Sequence, residues 1–184
     1  MIDQSQPATS FLVQMESLFK AKASIYKGAP SIDGIIEPSV LVFNDVPEKG
    51  QMTCVTYGLS FVKHEKWTTN MRPELLFSIK SNDVKWAILI ADLASELRGK
   101  FPFTYGQRIN LNKKIEGTNV SFFLIFAPEI ISRDQFLNID IGLDYRICLT
   151  GIYPLTKGEN DIIDLIGLEE FWKNDQFDLA TVNK

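Results

Sequence analysis

Apolar residues recur at helical spacing near the start of the chain. The pattern predicts a helix from about Thr9 to Ala23. Lys20 and Lys22 fall in its last turn, where positive side chains oppose the negative end of the helix dipole. The apolar stripe of this helix consists of Phe11, Leu12, Met15, Leu18 and Phe19. One face of the helix is therefore expected to pack against the rest of the protein.

A second amphipathic pattern predicts a helix from about Trp86 to Leu97. Either Asn82 or Asp83 can provide its N-cap oxygen, and Gly99 follows at the position of a left-handed C-terminal cap. The apolar face consists of Trp86, Leu89, Ile90, Leu93 and Leu97. This spacing makes it the clearest helix in the sequence.

Two short helices are predicted near the C-terminal end. Thr156 and Glu159 have the spacing of a capping box, in which each side chain bonds to the backbone amide of the other residue. Gly167 ends the first of these helices, and the second runs from Leu168 to Lys173. The buried side of the first helix is predicted to consist of Ile162, Ile163, Leu165 and Ile166.

Strands are predicted where β-branched and aromatic residues cluster between turn signals. Pro73 precedes one of them, since proline cannot donate to a β-ladder, and glycine and proline make residues 28–50 a loop around another. The predicted strands are Val40–Phe43, Thr53–Tyr57, Leu75–Ile79, Arg108–Asn112, Val120–Ala127 and Tyr145–Tyr153. This order of elements predicts an α+β fold, with a central, mostly antiparallel or mixed β-sheet flanked by helices.

Length and composition are those of one globular domain. The chain has 184 residues, of which 45% are hydrophobic and 23% are charged, and these values exclude a disordered or fibrous protein. We expect a single domain over 1–184. It would comprise an N-terminal helix and loop over 1–38, a main body over 39–173 and a tail over 174–184.

Charge and targeting signals narrow the classes of function. The formal net charge is −4, which argues against nucleic acid as the main partner, because phosphate binding favours a basic domain. The sequence predicts neither a signal peptide nor a membrane-spanning stretch. Cys54 and Cys148 are far apart and outside any metal-binding spacing. We therefore expect a soluble, reduced, cytoplasmic protein with no cofactor and no metal.

The negative charge is concentrated at the C-terminal end. From Lys157 to Lys184 there are seven carboxylates and three lysines, whereas the rest of the chain is balanced. The pattern is typical either of a solvated helix surface or of a docking surface for a basic partner. The candidate contact residues in this segment are Asp161, Asp164, Glu169 and Glu170. Phe103 and Tyr105 are further candidates, in a loop that either folds back on the core or forms a contact patch.

Catalytic chemistry has few candidate residues in this sequence. His64 is the one histidine, and a Cys54–His64 dyad would need a partly exposed thiolate, whereas Cys54 falls inside a predicted strand. Asp140 and Asp144 could act as an acid–base pair only if the fold placed them in one cleft. Phosphate-binding glycine loops and clustered zinc ligands are missing from the sequence.

Five short motifs, taken in order, resemble the suppressor of fused domain. They are Val40–Phe43, the run Val55-Thr56-Tyr57-Gly58-Leu59-Ser60, Pro73–Phe77, the helix Trp86–Leu97 and Thr150–Thr156 before a Glu-bearing helix. Their order and spacing carry the resemblance, which spans about Val40 to Trp172. The residues that carry the motifs are Tyr57, Gly58, Leu59, Ser60, Glu74, Leu75, Pro154, Leu155, Thr156 and Glu159. Each can serve the scaffold or a site, and Glu74, beside a strand start, must be exposed or paired, with Arg72 or Arg146 as possible partners.

The resemblance implies an α+β domain with no catalytic activity. Animal members hold a transcription factor inactive by gripping an extended peptide between two domains, whereas bacterial single-domain relatives resemble immunity proteins that neutralise a toxin by binding it. This sequence ends after the first domain. It also has Gln51-Met52-Thr53 where animal members carry a His-Trp-His stretch. Both departures favour the bacterial type.

Three hypotheses of function follow. The first is a non-enzymatic binding protein of the immunity type, with a basic toxin domain as the partner. The second is a regulator or scaffold that binds a short peptide along an exposed sheet edge. The third is an enzyme that uses His64 or the Asp140/Asp144 pair.

Overall fold

Across the described residues, seven strands form one open mixed sheet. The computed structural model describes residues 5–27, 37–67, 70–113, 115–174 and 176–183. In chain order the strands are β1 (Ser24–Lys27), β2 (Ser39–Asn44), β3 (Met52–Tyr57), β4 (Met71–Ile79), β5 (Arg108–Asn110), β6 (Val120–Phe126) and β7 (Arg146–Thr156). Their order across the sheet is β1-β2-β3-β4-β7-β6-β5. Every neighbouring pair is antiparallel except β4 and β7, which are parallel.

Helices cover both faces of this sheet. Within the described residues they are α1 (Ser5–Phe19), α2 (Lys85–Leu97), α3 (Arg133–Phe136), α4 (Lys157–Ile166) and α5 (Leu168–Trp172), with a 3₁₀ turn at Leu59–Phe61. The predicted α+β fold with a mixed sheet in a single domain is therefore confirmed. None of the helices in the described parts of the chain is long and apolar enough to cross a membrane.

Successive side chains of each strand point to opposite faces of the sheet, so the core is divided between the two faces. Trp86 and Ile90 of α2 pack on one face together with Phe77 of β4. On the other face, Phe11 of α1 packs beside β2 and β3, and Phe171 of α5 packs over β6 and β7. Both faces of the central strands are thus buried, which explains why Val120–Phe126 is nearly all apolar.

The first helix begins and ends four residues earlier than predicted. Lys20 has φ of +52° and ends the helix, because this left-handed conformation cannot continue it. Lys22, predicted in the last turn, instead pairs with Glu16, with 2.6 Å between Nζ and Oε2. Residues 24–27 then form β1, which no sequence pattern predicted. Residues 28–36 of the predicted loop lie outside the described residues.

Two other local predictions need correction. Pro73 lies inside β4 and not before it. The pairing of β4 with β3 ends at Leu76, so Pro73 lies outside it. Its missing N–H group therefore removes no hydrogen bond between β4 and β3. Helix α2 begins after Val84, and the Asp83 carboxylate accepts from the amide of Lys85 at 3.0 Å. Gly99 has the left-handed conformation that the sequence predicts, with φ of +72°.

Candidate functional site

The motif Tyr57–Ser60 begins where β3 ends and the chain enters the 3₁₀ turn. Gly58 has φ of +116°, a conformation that other residues disfavour. A Cβ atom there would also lie 3.2 Å from the Cα atom of Pro38. This glycine lets three consecutive backbone amides converge on a single side chain.

That side chain is Glu74, which is fully buried on β4. Its Oε1 accepts hydrogen bonds from the amides of Gly58 (2.8 Å) and Ser60 (3.1 Å) and from the Ser60 hydroxyl (2.7 Å). Its Oε2 accepts from the Thr56 hydroxyl at 2.7 Å and from the amide of Leu59 at 3.3 Å. Both oxygens are therefore saturated by donors, as a buried carboxylate requires.

The expectation that an arginine partners Glu74 is wrong. Arg146 pairs with Asp140, with 2.5 Å between Nη1 and Oδ1. Arg72 donates from Nη1 to the carbonyl oxygen of Ser60 at 3.0 Å. Backbone amides and hydroxyls take the role that the sequence assigned to a cation, because the chain after β3 wraps around the carboxylate.

Tyr145, which is buried, contacts both Ser60 and Arg72 beside the carboxylate. Its hydroxyl lies 3.3 Å from the Ser60 Oγ, and either atom can donate. The Arg72 guanidinium carbon sits 3.8 Å above the centre of the Tyr145 ring, a cation–π contact. Ser60 therefore bonds to Glu74, to Arg72 and to Tyr145 at once.

Burial raises the pKa of all three acidic groups in this cluster. For Glu74 the hydrogen bonds from Thr56 and Ser60 act in the opposite direction. For Tyr57 and Tyr145, the negative charge of Glu74 adds to the effect of burial on the pKa. The two phenols therefore remain protonated donors well above neutral pH.

An apolar cleft of about 690 Å³ opens beside these residues. Its walls come from α1, from the adjoining strands β1 and β2, from the end of β3 with the 3₁₀ turn, and from the segment before β7. The lining residues are Pro7, Ala8, Thr9, Phe11, Leu12, Ile25, Lys27, Ser39, Leu41, Tyr57, Phe61, Leu143 and Tyr145. The Tyr57 ring lies 5.1 Å from that of Phe11 and 5.2 Å from that of Phe61, between ring centres. Size and lining are those of a ligand or peptide site.

Strand β1 forms the outer rim of this cleft and one edge of the sheet. Ile25 pairs with Leu41 and Lys27 with Ser39, so these side chains share the face that the cleft occupies. All four side chains of β1 are exposed, and among the described residues no strand pairs with its outer edge. An unpaired edge of this kind can accept a further strand.

The second group of motif residues lies at the end of β7 and the start of α4. The Thr156 hydroxyl accepts from the amide of Glu159 (3.2 Å), and the Glu159 carboxylate accepts from the amide of Thr156 (2.7 Å). The predicted capping box is thus confirmed. Pro154 and Leu155 are buried in β7, and none of these four residues lines the cleft. Leu59 and Leu75 are core residues on the α2 side.

The candidate carboxylates of α4 and α5 are exposed and mostly paired. We call Asp161, Asp164, Glu169 and Glu170 the acidic surface. Asp161 pairs with Lys157 at 2.6 Å, Glu169 with Lys173 at 2.6 Å and Asp164 with Arg108 at 2.7 Å. Leu165, between them, is 82% exposed and Ile166 is 41% exposed, which corrects their predicted burial. Ile163 is buried against the sheet, and Ile162 is partly buried beside it.

The two aromatic candidates of the Phe101–Gly106 loop have different positions. Phe103 is 3% exposed and packs in the core on the α2 side, so it presents no contact surface. It contacts the ring of Phe101, which turns the loop inwards. Tyr105 is 46% exposed, and its ring lies 5.6 Å from that of Phe126.

The structure places the candidate catalytic residues in unsuitable surroundings. Cys54 is buried in the core, and burial raises the pKa of its thiol to about 12. His64 is buried, and its Nδ1 accepts from the amide of Lys66 at 3.1 Å. Asp140 is exposed and bound to Arg146. Within the described ranges, no three His, Cys, Asp or Glu side chains cluster as metal ligands.

Sequence reasoning missed most of the cleft. Phe61, Tyr145 and Leu143 were not candidates, and neither was the apolar stripe of α1. Their one shared signal is an aromatic or aliphatic side chain next to a motif or strand end. That signal is common to core residues, so it does not single them out.

Comparison with known proteins finds similarity in the fold and none in the sequence families. No family model and no curated sequence matches the chain. The structure is similar to a crystal structure described as a suppressor of fused homologue from Neisseria gonorrhoeae, with a TM-score of 0.73 and 16% identity over 96% of this chain and 93% of that one. It is also similar to a chain in a Sufu–Fu complex, with a TM-score of 0.62 and 10% identity over 95% and 88% of the two chains.

A third similar structure is Drosophila Suppressor of Fused, with a TM-score of 0.61 and 10% identity. The match covers 97% of this chain and 50% of the Drosophila protein, so the chain spans about half of that protein. The resemblance that the motifs predicted is thus confirmed in three dimensions: the chain has the suppressor of fused fold.

Proposed function

We propose that the chain is a non-enzymatic protein-binding domain that takes an extended segment of its partner along the outer edge of β1. Side chains of that segment would enter the aromatic cleft. The observation that carries the proposal is the apolar cleft of about 690 Å³ beside an exposed strand edge with which no other described strand pairs. A protein with the same fold forms a complex with another protein, Fu, which supports a binding role for this fold.

The geometry suits capture of a strand for a physical reason. A new strand would bond to the free backbone groups of β1, and alternate side chains would point towards the cleft face, as Ile25 and Lys27 do. Main-chain bonds would supply affinity and the cleft would supply specificity. The lining has few polar groups, so an aliphatic or aromatic side chain fits it best.

The partner we propose is a toxin domain that the chain neutralises by binding in the cytoplasm, as in bacterial immunity proteins. The acidic surface is a second candidate interface, because exposed Leu165 and Ile166 give it an apolar centre within a charged rim. Basic side chains of a toxin domain would complement Glu170 and the other carboxylates of this surface. This interface and the β1 edge are on different elements, so substitutions separate them.

The test is capture of the partner from the native host by the tagged protein, followed by affinity measurement with paired variants. Ile25→Lys places a charge on the rim of the cleft, whereas Ile88→Lys changes a residue of similar exposure on α2 (50% and 45%). We expect Ile25→Lys to weaken binding by about tenfold or more and Ile88→Lys to leave it unchanged.

Equal affinities for the two variants would reject the edge of β1 as the interface. A loss on Leu165→Lys alone would then point to the acidic surface. Recovery of no stoichiometric protein, together with an enzymatic activity that His64→Ala abolishes, would reject the binding role altogether.

A further inference from the structure

We propose that Glu74 is a positioning residue for the cleft: its buried carboxylate holds the turn after β3 and, through Ser60, the ring of Tyr145. This inference rests on the proposed function of the cleft and assigns a role to a buried motif carboxylate that lies outside it. The influence of the carboxylate passes in three steps from the backbone to the aromatic walls.

The first step is the end of the β3–β4 ladder. The antiparallel register between these strands stops at Val55 and Leu76. Beyond it Thr56 and Tyr57 pair with β2 alone, and after Tyr57 the chain leaves the sheet, so the next three amides have no strand to donate to. The Glu74 carboxylate takes the place of the missing strand, accepting from the amides of Gly58, Leu59 and Ser60.

The second step connects these amides to two walls of the cleft. Tyr57 and Phe61 flank the three bonded residues in sequence, and both line the cleft. Their rings meet edge to face at 5.2 Å. A turn that is held at Gly58, Leu59 and Ser60 therefore sets the separation of the two backbone positions that carry these rings.

The third step reaches the opposite wall. The Ser60 hydroxyl, which donates to Glu74 at 2.7 Å, also lies 3.3 Å from the Tyr145 hydroxyl. The Ser60 carbonyl accepts from Arg72, whose guanidinium covers the Tyr145 ring. Ser60 thus transmits the position of the carboxylate to Tyr145, which comes from the segment before β7.

Only a carboxylate suits this position. Both of its oxygens accept hydrogen bonds, and the Oε2 atom accepts from the Thr56 hydroxyl and from the amide of Leu59. A glutamine at residue 74 would place an NH₂ group against donors, so at least one oxygen's bonds would be lost. The turn would then relax, and the cleft walls with it.

The experiment measures binding of the uncharged apolar dye N-phenyl-1-naphthylamine by fluorescence, using the full chain. Ala8→Glu, which adds a charge to the cleft in the first turn of α1, identifies dye bound in the cleft. Glu74→Gln is compared with Thr53→Val, which removes a buried hydroxyl at the other end of β3, bonded to Val46 and Ser78.

All variants are measured well below their melting temperatures, where each is fully folded by near-ultraviolet circular dichroism. We expect the wild type and Thr53→Val to bind the dye equally and Glu74→Gln to bind it about tenfold more weakly. Ser60→Ala should give an intermediate loss, because it cuts the link to Tyr145 and leaves the amide bonds in place. A purely structural role would give Glu74→Gln the behaviour of Thr53→Val.

The outcomes separate the two proposals. If Ala8→Glu abolishes dye binding, but the wild type and Glu74→Gln bind the dye equally, the positioning role is overturned. The cleft then remains a binding site. Absence of dye binding by the wild type overturns the cleft itself. If Glu74→Gln does not fold, Ser60→Ala and Tyr145→Phe decide: unchanged affinity in both overturns the inference.

Discussion

At the scale of the residue, Glu74 combines two opposing effects on one carboxylate. Burial raises its pKa, whereas hydrogen bonds from hydroxyls and amides lower it, and burial is the larger effect. The folded protein therefore holds the proton of Glu74 more tightly than the unfolded chain does. Stability is linked to pH through this one group.

The sign of that linkage gives a prediction. The contribution of Glu74 to stability is present below its usual pKa of 4.5 and is lost as the pH rises through the higher pKa of the folded state. We expect the free energy of unfolding of the wild type, minus that of Glu74→Gln, to decrease above pH 4.5, with a slope of at most about 1.4 kcal/mol per pH unit.

Urea denaturation of both proteins across that pH range measures the difference. Taking the difference cancels groups such as Asp134 and Asp161, whose pKa values are lowered and whose effect on stability has the opposite sign. A difference that stays constant or increases with pH would mean that the hydrogen bonds outweigh burial.

Sequence reasoning identified Glu74 as unusual but assigned it the wrong partner. A cation leaves a trace in the sequence, so Arg72 and Arg146 were visible candidates. Backbone amides leave none, since every residue except proline carries one. Only Gly58 hinted at a special backbone geometry, and it did not indicate which side chain the amides would meet.

At the scale of the element, we expect one face of the short helix α4 to provide most of what this helix contributes to the stability of the protein. Ile163 is buried against β6 and β7, whereas Leu165 is exposed. We expect Ile163→Ala to lower the free energy of unfolding by about 2–4 kcal/mol, because it leaves a cavity. Leu165→Ala should change it by less than about 0.5 kcal/mol.

Chemical denaturation of the two variants checks this difference, and the wild type serves as the reference. A large loss of stability for Leu165→Ala would show that α4 packs on another face. Affinity for the captured partner provides the second readout: if the acidic surface is the interface, Leu165→Ala weakens binding without changing stability.

Most elements could be predicted from the sequence because their patterns are local. The strands and helices that were expected all occur, with ends that differ by a few residues. β1 was missed because four exposed residues with no alternation, Ser24–Lys27, carry no core signal and owe their conformation to pairing with β2. The four-residue α3 is too short for a helical period, although Ser132 and Gln135 form a capping box.

At the scale of the whole molecule, the distribution of charge distinguishes the two candidate interfaces. Among the residues that the structure describes, Lys27 is the one charged residue that lines the cleft, whereas the acidic surface has four carboxylates. If the partner binds at β1 and the cleft, its Kd should rise by less than about threefold between roughly 50 and 500 mM salt.

Isothermal titration or surface plasmon resonance at several salt concentrations gives this slope. A steep loss of affinity that Glu170→Lys reproduces at low salt would instead assign binding to the acidic surface. The same titration with Ile25→Lys shows whether both surfaces contribute to one interface.

The cleft could not be predicted from the sequence because it has no local pattern. Phe11, Leu41, Phe61 and Tyr145 come from four separate parts of the chain, and each by itself is typical of a core residue. Their meeting depends on the strand order, which places α1 beside the end of β3. The sequence predicted a mostly antiparallel or mixed sheet, but not which strands are neighbours.

The parallel pairing of β4 with β7 has a consequence for how the protein folds. It joins two antiparallel units, β1–β4 and β5–β7, along a register from Met71 and Arg146 to Leu76 and Gly151. Each unit closes through contacts between neighbours in the chain, whereas the seam requires residues some 75 positions apart to meet. We infer that the seam forms last, and that a chain divided in the loop after Gly99 could reassemble from its two fragments.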